Sequence, residues 1–104
     1  MDIFLVENSE LIVKRLREML GALPGAIVLG HAARASEAIR EILKCKPQVV
    51  LLDLELDQGS GFDVLAAVRA AAPEVEIYML SNFVSAPVRE LAEQAGARGF
   101  YDKT

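Results

Sequence analysis

Residues 49–65 read VVLLDLELDQGSGFDVL, and this stretch contains the pattern that decides the fold. Its first four residues form a continuous apolar run, which is too short for a helix and is typical of a parallel strand covered on both faces. The run ends at Asp53. After a loop that ends with Gly59, Ser60 precedes Gly61 and apolar residues at helical spacing, as an N-cap residue does. The stretch therefore predicts a buried strand, a polar loop and a helix.

The same order of elements recurs along the rest of the chain. Short apolar runs predict further strands at residues 3–6, 26–29, 75–80 and 99–101. We expect the first four strands of the chain to be covered on both faces. The helical patterns between them end at Pro or Gly, and each begins after a candidate N-cap serine: Ser9, Ser36, Ser60 and Ser85. This order predicts an α/β fold with a doubly wound parallel sheet of five strands.

The composition narrows the class of protein. The chain has 104 residues, of which 53% are hydrophobic and 25% are charged, as in a single globular domain. Its formal net charge is −4 and it has no long run of Lys or Arg, so we expect no direct nucleic-acid binding. No apolar run approaches the roughly 20 residues of a membrane span. Since the first residues also lack a basic segment, we expect a cytoplasmic protein without membrane contact.

Cys45 is the only cysteine of the chain. A lone cysteine excludes an internal disulfide and any metal site rich in cysteine. Free cysteines usually behave as small hydrophobic residues, so we expect Cys45 to be structural rather than reactive.

Polar residues follow the apolar runs at the points where the predicted strands end. They are Glu7 and Asn8, Asp53, Ser81 and Asn82, and Lys103. In a parallel α/β sheet the carboxyl ends of the strands meet at one edge, where ligands bind. A group of oxygen donors with one lysine and one hydroxyl suits a magnesium ion together with a phosphoryl group.

Four blocks of the sequence together resemble the receiver domain of two-component response regulators, over the whole length of the chain. The blocks are residues 6–8 (VEN), 49–65, 78–82 (YMLSN) and 96–103 (GARGFYDK). The resemblance implies a flavodoxin-like sheet with the strand order 2-1-3-4-5. The final helix of the family is missing after Thr104, so we interpret residues 1–104 as a receiver domain truncated after its fifth strand. We expect that the sequence is cut short here or that a partner covers the open face.

The resemblance also implies a role for individual residues. Asp53 would accept a phosphoryl group from a sensor histidine kinase or a phosphotransfer protein. Lys103 would pair with Asp53 and then with a phosphoryl oxygen, and the Ser81 hydroxyl would bond another. Phe100 would turn inward as Ser81 moves, although an aromatic residue on a short strand fits plain core packing equally well. The altered face of the fourth helix and fifth strand would then act on an output partner or form a homodimer.

A Mg²⁺ site is a further implication of the resemblance, with Glu7, Asn8, Asp53 and the backbone carbonyl of Glu55 as ligands. The family usually has a second acid where this chain has Asn8. Loss of that charge weakens Mg²⁺ binding by at most several kcal/mol of free energy. Reduced repulsion from Glu7 and Asp53 offsets a part of this loss. We therefore expect weaker Mg²⁺ binding and slower phosphorylation. The alternative is a degenerate, phosphate-independent receiver-like protein interaction module.

Enzyme functions fit the sequence less well than a signalling role. A small aspartate-dependent phosphatase would need a second Asp two residues after the nucleophile, where this chain has Glu55. A flavin-binding protein would need a phosphate loop rich in glycine and hydroxyl groups after the first strand, and none follows it. Gly59 and Gly61 indicate loop flexibility beside the site. We expect no enzymatic turnover beyond phosphorylation and dephosphorylation of the chain itself.

Overall fold

The computed structural model describes residues 1–81 and 85–102, and five strands in this part of the chain form one parallel sheet. The strands are β1 (Asp2–Val6), β2 (Ile27–Ala32), β3 (Val49–Asp53), β4 (Glu76–Ser81) and β5 (Gly99–Asp102). The helices between them are α1 (Glu10–Gly21), α2 (Ala35–Cys45), α3 (Gly61–Ala71) and α4 (Ala86–Gln94). The strand order is β2-β1-β3-β4-β5, which confirms the predicted doubly wound, flavodoxin-like fold.

Side-chain caps begin two of the helices as the sequence predicts. The Ser9 hydroxyl accepts a hydrogen bond from the backbone N–H of Ile12 at the start of α1. Ser60 and Asp63 form a reciprocal capping box at the start of α3. Both arrangements satisfy N–H groups that a helix leaves without partners in its first turn.

The predicted cap of α2 is wrong. This helix begins at Ala35, so Ser36 lies inside its first turn, and the N-cap is Arg34, which makes no side-chain capping bond. The backbone N–H of Ala35 instead donates to the carbonyl of Gln58 in the loop after β3, at 2.9 Å. A tertiary contact therefore satisfies a donor at the start of α2, and the sequence pattern of the helix alone does not reveal it.

Helices cover both faces of the sheet. On one face the strands pack against α2 and α3, and the fully buried residues of this core include Ile42, Val50, Leu52, Val64, Leu65, Val68, Ile77 and Met79. On the other face α1 contributes Val13, Leu16 and Leu20, which pack against Ile3, Leu5, Val49 and Leu80. Burial of these side chains is the main favourable term that holds the sheet together.

Strand β2 departs from the prediction that it is covered on both faces. Ile27 is 56% exposed and Leu29 is 43% exposed. Among the described strands it pairs only with β1, so it lies at the edge of the sheet, and it presents alternate residues to solvent. Its apolar run is typical of a strand buried on both faces. At the edge of the sheet, however, the face of β2 that carries Ile27 and Leu29 is exposed to solvent.

In the part of the chain that the structure describes, no helix has the length and apolar character needed to cross a membrane.

Candidate functional site

The register of the sheet brings three of the predicted site residues to one edge. Val6 of β1 pairs with Leu52 of β3, so Glu7 and Asp53 follow at adjacent strand ends. Asp53 pairs with Leu80 of β4, and Ser81 is the next residue. Parallel pairing therefore places Glu7, Asp53 and Ser81 side by side, although 74 positions separate the first from the last.

Two members of the predicted site lie outside the described residues. Asn82 follows the end of β4 directly, and Lys103 follows β5 directly. Ser81 pairs with Asp102, the last residue of β5. The strand β5 therefore ends at the same edge of the sheet, one residue before Lys103 in the sequence.

The carboxylates of this edge are buried. Glu7 is 1% exposed and Asp53 is 4% exposed, and they are the only buried polar or charged side chains of the described residues. Each of them has an interaction partner in the structure. Burial of a carboxylate is costly unless cations or hydrogen-bond donors compensate it, and buried acids cluster at functional sites for this reason. The burial therefore marks this edge as the candidate site.

The loop after β3 fixes the Asp53 carboxylate and carbonyl. Asp53 Oδ1 accepts a hydrogen bond from the backbone N–H of Glu55, with 3.2 Å between the atoms. The N–H of Gly61 donates to the carbonyl of Leu54 at 2.9 Å. A Cβ atom added to Gly61 would lie 2.3 Å from the carbonyl oxygen of Asp53. Gly61 thus permits a close approach of two backbone segments, in contrast to the loop flexibility that the sequence suggests.

The same loop is tied to the connection between β2 and α2. In addition to the bond from Ala35 to Gln58, the N–H of Asp57 donates to the carbonyl of Ala33 at 3.1 Å. Gly59 has a φ of +79°, and a Cβ atom there would lie 2.6 Å from the Cβ of Ala35. These contacts attach the loop beside Asp53 to the start of α2.

The donor set at this edge fits Mg²⁺ by its chemistry. Glu7 and Asp53 provide carboxylates, and exposed Asn8 and Glu55 flank them with an amide oxygen and a backbone carbonyl. Oxygen ligands of this kind are those that Mg²⁺ prefers. Across residues 1–81 and 85–102, no three His, Cys, Asp or Glu side chains are grouped closely enough to hold a metal ion. A Mg²⁺ ion at this edge would therefore have two carboxylates and neutral oxygens as its donors among the described residues.

Ser81 and Phe100 lie on the same face of the sheet. Phe100 of β5 pairs with Met79, which precedes Ser81 by two residues on β4. Since side chains two residues apart in a strand share a face, Phe100 is a diagonal neighbour of Ser81. Phe100 is half-buried and packs against the core under α2 and α3.

Arg89 is a further residue near this pair that sequence reasoning missed. Its guanidinium carbon Cζ lies 5.3 Å from the centroid of the Phe100 ring. A basic residue in a helical pattern is usually solvated, so no signal in the sequence pointed to this contact.

Comparison with known proteins identifies the family. The family model of the response regulator receiver domain matches residues 3–104. The chain is 30% identical over 101 residues to the DNA-binding transcriptional activator DevR/DosR of Mycobacterium tuberculosis, covering 97% of this chain and 46% of that protein. It is 33% identical over 103 residues to protein-glutamate methylesterase/protein-glutamine glutaminase 1 of Carboxydothermus hydrogenoformans. This match covers 97% of this chain and 30% of that protein. The chain thus spans less than half the length of these curated relatives.

Solved structures match over nearly the whole chain. A two-component response regulator of the LuxR family from Aurantimonas sp. SI85-9A1 is 26% identical, with a TM-score of 0.93 over 99% of this chain and 74% of that chain. The response regulator domain of Thermotoga maritima CheB has a TM-score of 0.89 over 98% of this chain and 77% of that chain. Its identity is 22%, so this second match shows the fold alone. The chain belongs to the response regulator receiver domain family of two-component signalling systems.

Proposed function

We propose that Asp53 accepts a phosphoryl group from a sensor histidine kinase or a phosphotransfer protein in a Mg²⁺-dependent reaction. Receiver domains generally bind Mg²⁺ and interact with such proteins and with output domains. The observation that carries the proposal for this chain is the burial of Asp53 beside Glu7 at the carboxyl edge of the sheet. On this proposal, residues 1–104 act as one receiver domain.

The chemistry assigned to Asp53 is nucleophilic substitution at phosphorus. One carboxylate oxygen forms a bond to phosphorus as the bond from phosphorus to the donor's imidazole nitrogen breaks, and the product is an acyl phosphate. The bond from the Glu55 N–H to Oδ1 orients the carboxylate for this attack. Mg²⁺, held by Glu7, Asn8, Asp53 and the Glu55 carbonyl, would neutralise charge on the phosphoryl oxygens.

Ser81 and Phe100 are proposed to pass the change on to the surface. The Ser81 hydroxyl would donate to a phosphoryl oxygen, and Lys103 would pair with another. Phe100 would then move into the space that Ser81 leaves. Their shared face and diagonal pairing support this coupling, because a movement of one side chain changes the room available to the other. The output partner would read the resulting change in α4 and β5.

Protein mass spectrometry after incubation with a small acyl phosphate and Mg²⁺ tests the phosphoacceptor role. We expect the mass to rise by one phosphoryl group, and Asp53→Asn to abolish the rise. Asp57→Asn is the matched control, because Asp57 is an exposed acid in the same loop, and it should leave phosphorylation intact. Phosphorylation that persists in Asp53→Asn would contradict the assignment.

A phosphate-independent interaction module is the second candidate function. The observation that favours it is the neutral, exposed Asn8 next to buried Glu7. This candidate predicts no mass change with any acyl phosphate donor, even at millimolar Mg²⁺, together with retained binding of an output partner.

A homodimer through α4 and β5 is the proposed form of one such interaction. Leu91 of α4 is 58% exposed and Tyr101 of β5 is 55% exposed, so both helix and strand offer apolar surface. We expect beryllofluoride, an acyl phosphate mimic, to increase the sedimentation coefficient in the presence of Mg²⁺. A monomer under both conditions would remove this proposal.

A further inference from the structure

A cation–π contact joins α4 to β5 at the proposed switch residue. The guanidinium carbon of Arg89 lies 5.3 Å from the centroid of the Phe100 ring, within the roughly 6 Å over which such contacts are attractive. Phe100 is half-buried against the core, whereas Arg89 is exposed. The ring is thus held between the apolar core and a surface cation.

Helix α4 has few other anchors among its described residues. Ala92 is its only buried side chain, and the N-cap residue Ser85 makes no side-chain capping bond. The fully buried residues of α3, by comparison, include Val64, Leu65 and Val68. A single contact between α4 and β5 therefore has more influence on the position of α4 than an equal contact would have on α3.

We propose that Arg89 is a positioning residue that holds the Phe100 ring in its half-buried position and thereby sets how readily the surface of α4 and β5 switches. The proposal rests on the proposed function, which requires Phe100 to move. Removal of the cation leaves the packing of the ring against the core in place but removes its attraction to α4. The ring and α4 then separate at a smaller cost in free energy, and the switch responds to a weaker stimulus.

The first test is NMR of the unmodified chain, which does not depend on phosphorylation. We expect the side-chain protons of Arg89 to be shifted upfield by the Phe100 ring, and the ring resonances of Phe100 to change in Arg89→Ala. Arg89→Lys, which keeps a cation, should restore most of the wild-type ring shifts. Arg98→Ala is the matched control, because it removes the same charge from an arginine that pairs with Glu76 instead. Unchanged Phe100 ring shifts in Arg89→Ala would overturn the proposal.

The second test measures the beryllofluoride concentration at half-saturation in the presence of Mg²⁺. The strength of an exposed cation–π contact corresponds to a decrease of about two- to fivefold in Arg89→Ala. Arg89→Lys should return the value toward that of the wild type, and Arg89→Ala should have no effect in a Phe100→Leu background. An equal decrease in that background would overturn the proposal, since Arg89 would then act without the ring.

The two tests separate failure of this inference from failure of the proposed function. A wild-type chain that does not respond to beryllofluoride at all contradicts the phosphoacceptor role and the control of switching by Arg89. The ring shifts still decide whether Arg89 positions Phe100. A normal beryllofluoride response with no Arg89 effect contradicts only the inference about Arg89.

Discussion

At the scale of single residues, the site combines two buried acids with neighbours of ordinary surface character. Glu7 and Asp53 are almost fully buried, whereas Asn8 and Glu55, which the proposed metal site also uses, are exposed. The neutral side chain of Asn8 lowers the negative charge available to a cation and also lowers the repulsion among the acids. The identity of this one residue is therefore expected to tune the proposed metal site.

Asn8→Asp should tighten Mg²⁺ binding by about ten- to a hundredfold, because part of the added attraction is offset by repulsion from Glu7 and Asp53. Titration of backbone amide shifts with Mg²⁺ measures the effect. Gln58→Asp is the matched control, because it adds the same charge at an exposed position of the neighbouring loop. An equal gain in Gln58→Asp would show that Asn8 has no special place in the site.

Cys45 gives a prediction about pH. The Cys45 side chain is exposed, but its limited burial raises the pKa of the thiol. The negative charges of Glu41 and Asp2 raise the pKa further, while a backbone hydrogen bond lowers it. A raised pKa leaves less thiolate at a given pH, so alkylation by iodoacetamide should be slower in the folded chain than in the same chain unfolded in urea. The midpoint of the rate against pH should also be higher in the folded chain. A midpoint at or below that of the unfolded chain would contradict this account.

At the scale of elements, the loop between β3 and α3 is the part that positions Asp53. It is closed by the bond from Gly61 to Leu54 and attached to the start of α2 by the bond from Ala35 to Gln58. The backbone carbonyl of Asp53 lies so close to Gly61 that a residue with a Cβ atom would clash with it there. Loop and helix therefore form one unit around the proposed phosphoacceptor.

Gly61→Ala should lower the free energy of unfolding by about 1–3 kcal/mol, because the added Cβ would force backbone segments apart. Chemical denaturation followed by circular dichroism measures this value. Gly21→Ala is the matched control, since no atom lies within 4 Å of a Cβ added at Gly21, the last residue of α1. The control should leave stability unchanged or raise it by up to about 1 kcal/mol. Equal effects of the two substitutions would argue against the close approach.

At the scale of the whole molecule, the sequence predicts what depends on element order and leaves open what depends on contacts between elements. The gathering of Glu7, Asp53 and Ser81 at one edge could be predicted, because parallel strands place their carboxyl ends together. The exposure of Ile27 and Leu29 could not be predicted. The composition of β2 does not reveal that, among the described strands, it pairs with β1 alone at the edge of the sheet.

The contacts that connect distant elements could not be predicted from the sequence either. The bond between Ala35 and Gln58 and the placement of Arg89 over Phe100 depend on how helices are seated against loops and strands. Periodicity identifies which face of a helix is apolar but not which polar side chain meets a ring on a neighbouring strand. The switch that we propose depends on a contact between elements, the placement of Arg89 over the Phe100 ring.

The most direct test of the central claim is a titration with beryllofluoride, with and without Mg²⁺, followed by the backbone amide shifts of the chain. We predict shifts that require Mg²⁺, centre on Asp53, Ser81 and Lys103, extend to Phe100 and α4, and are lost in Asp53→Ala. No response at millimolar Mg²⁺, or an unchanged response in Asp53→Ala, would contradict the assignment of Asp53 as the phosphoacceptor.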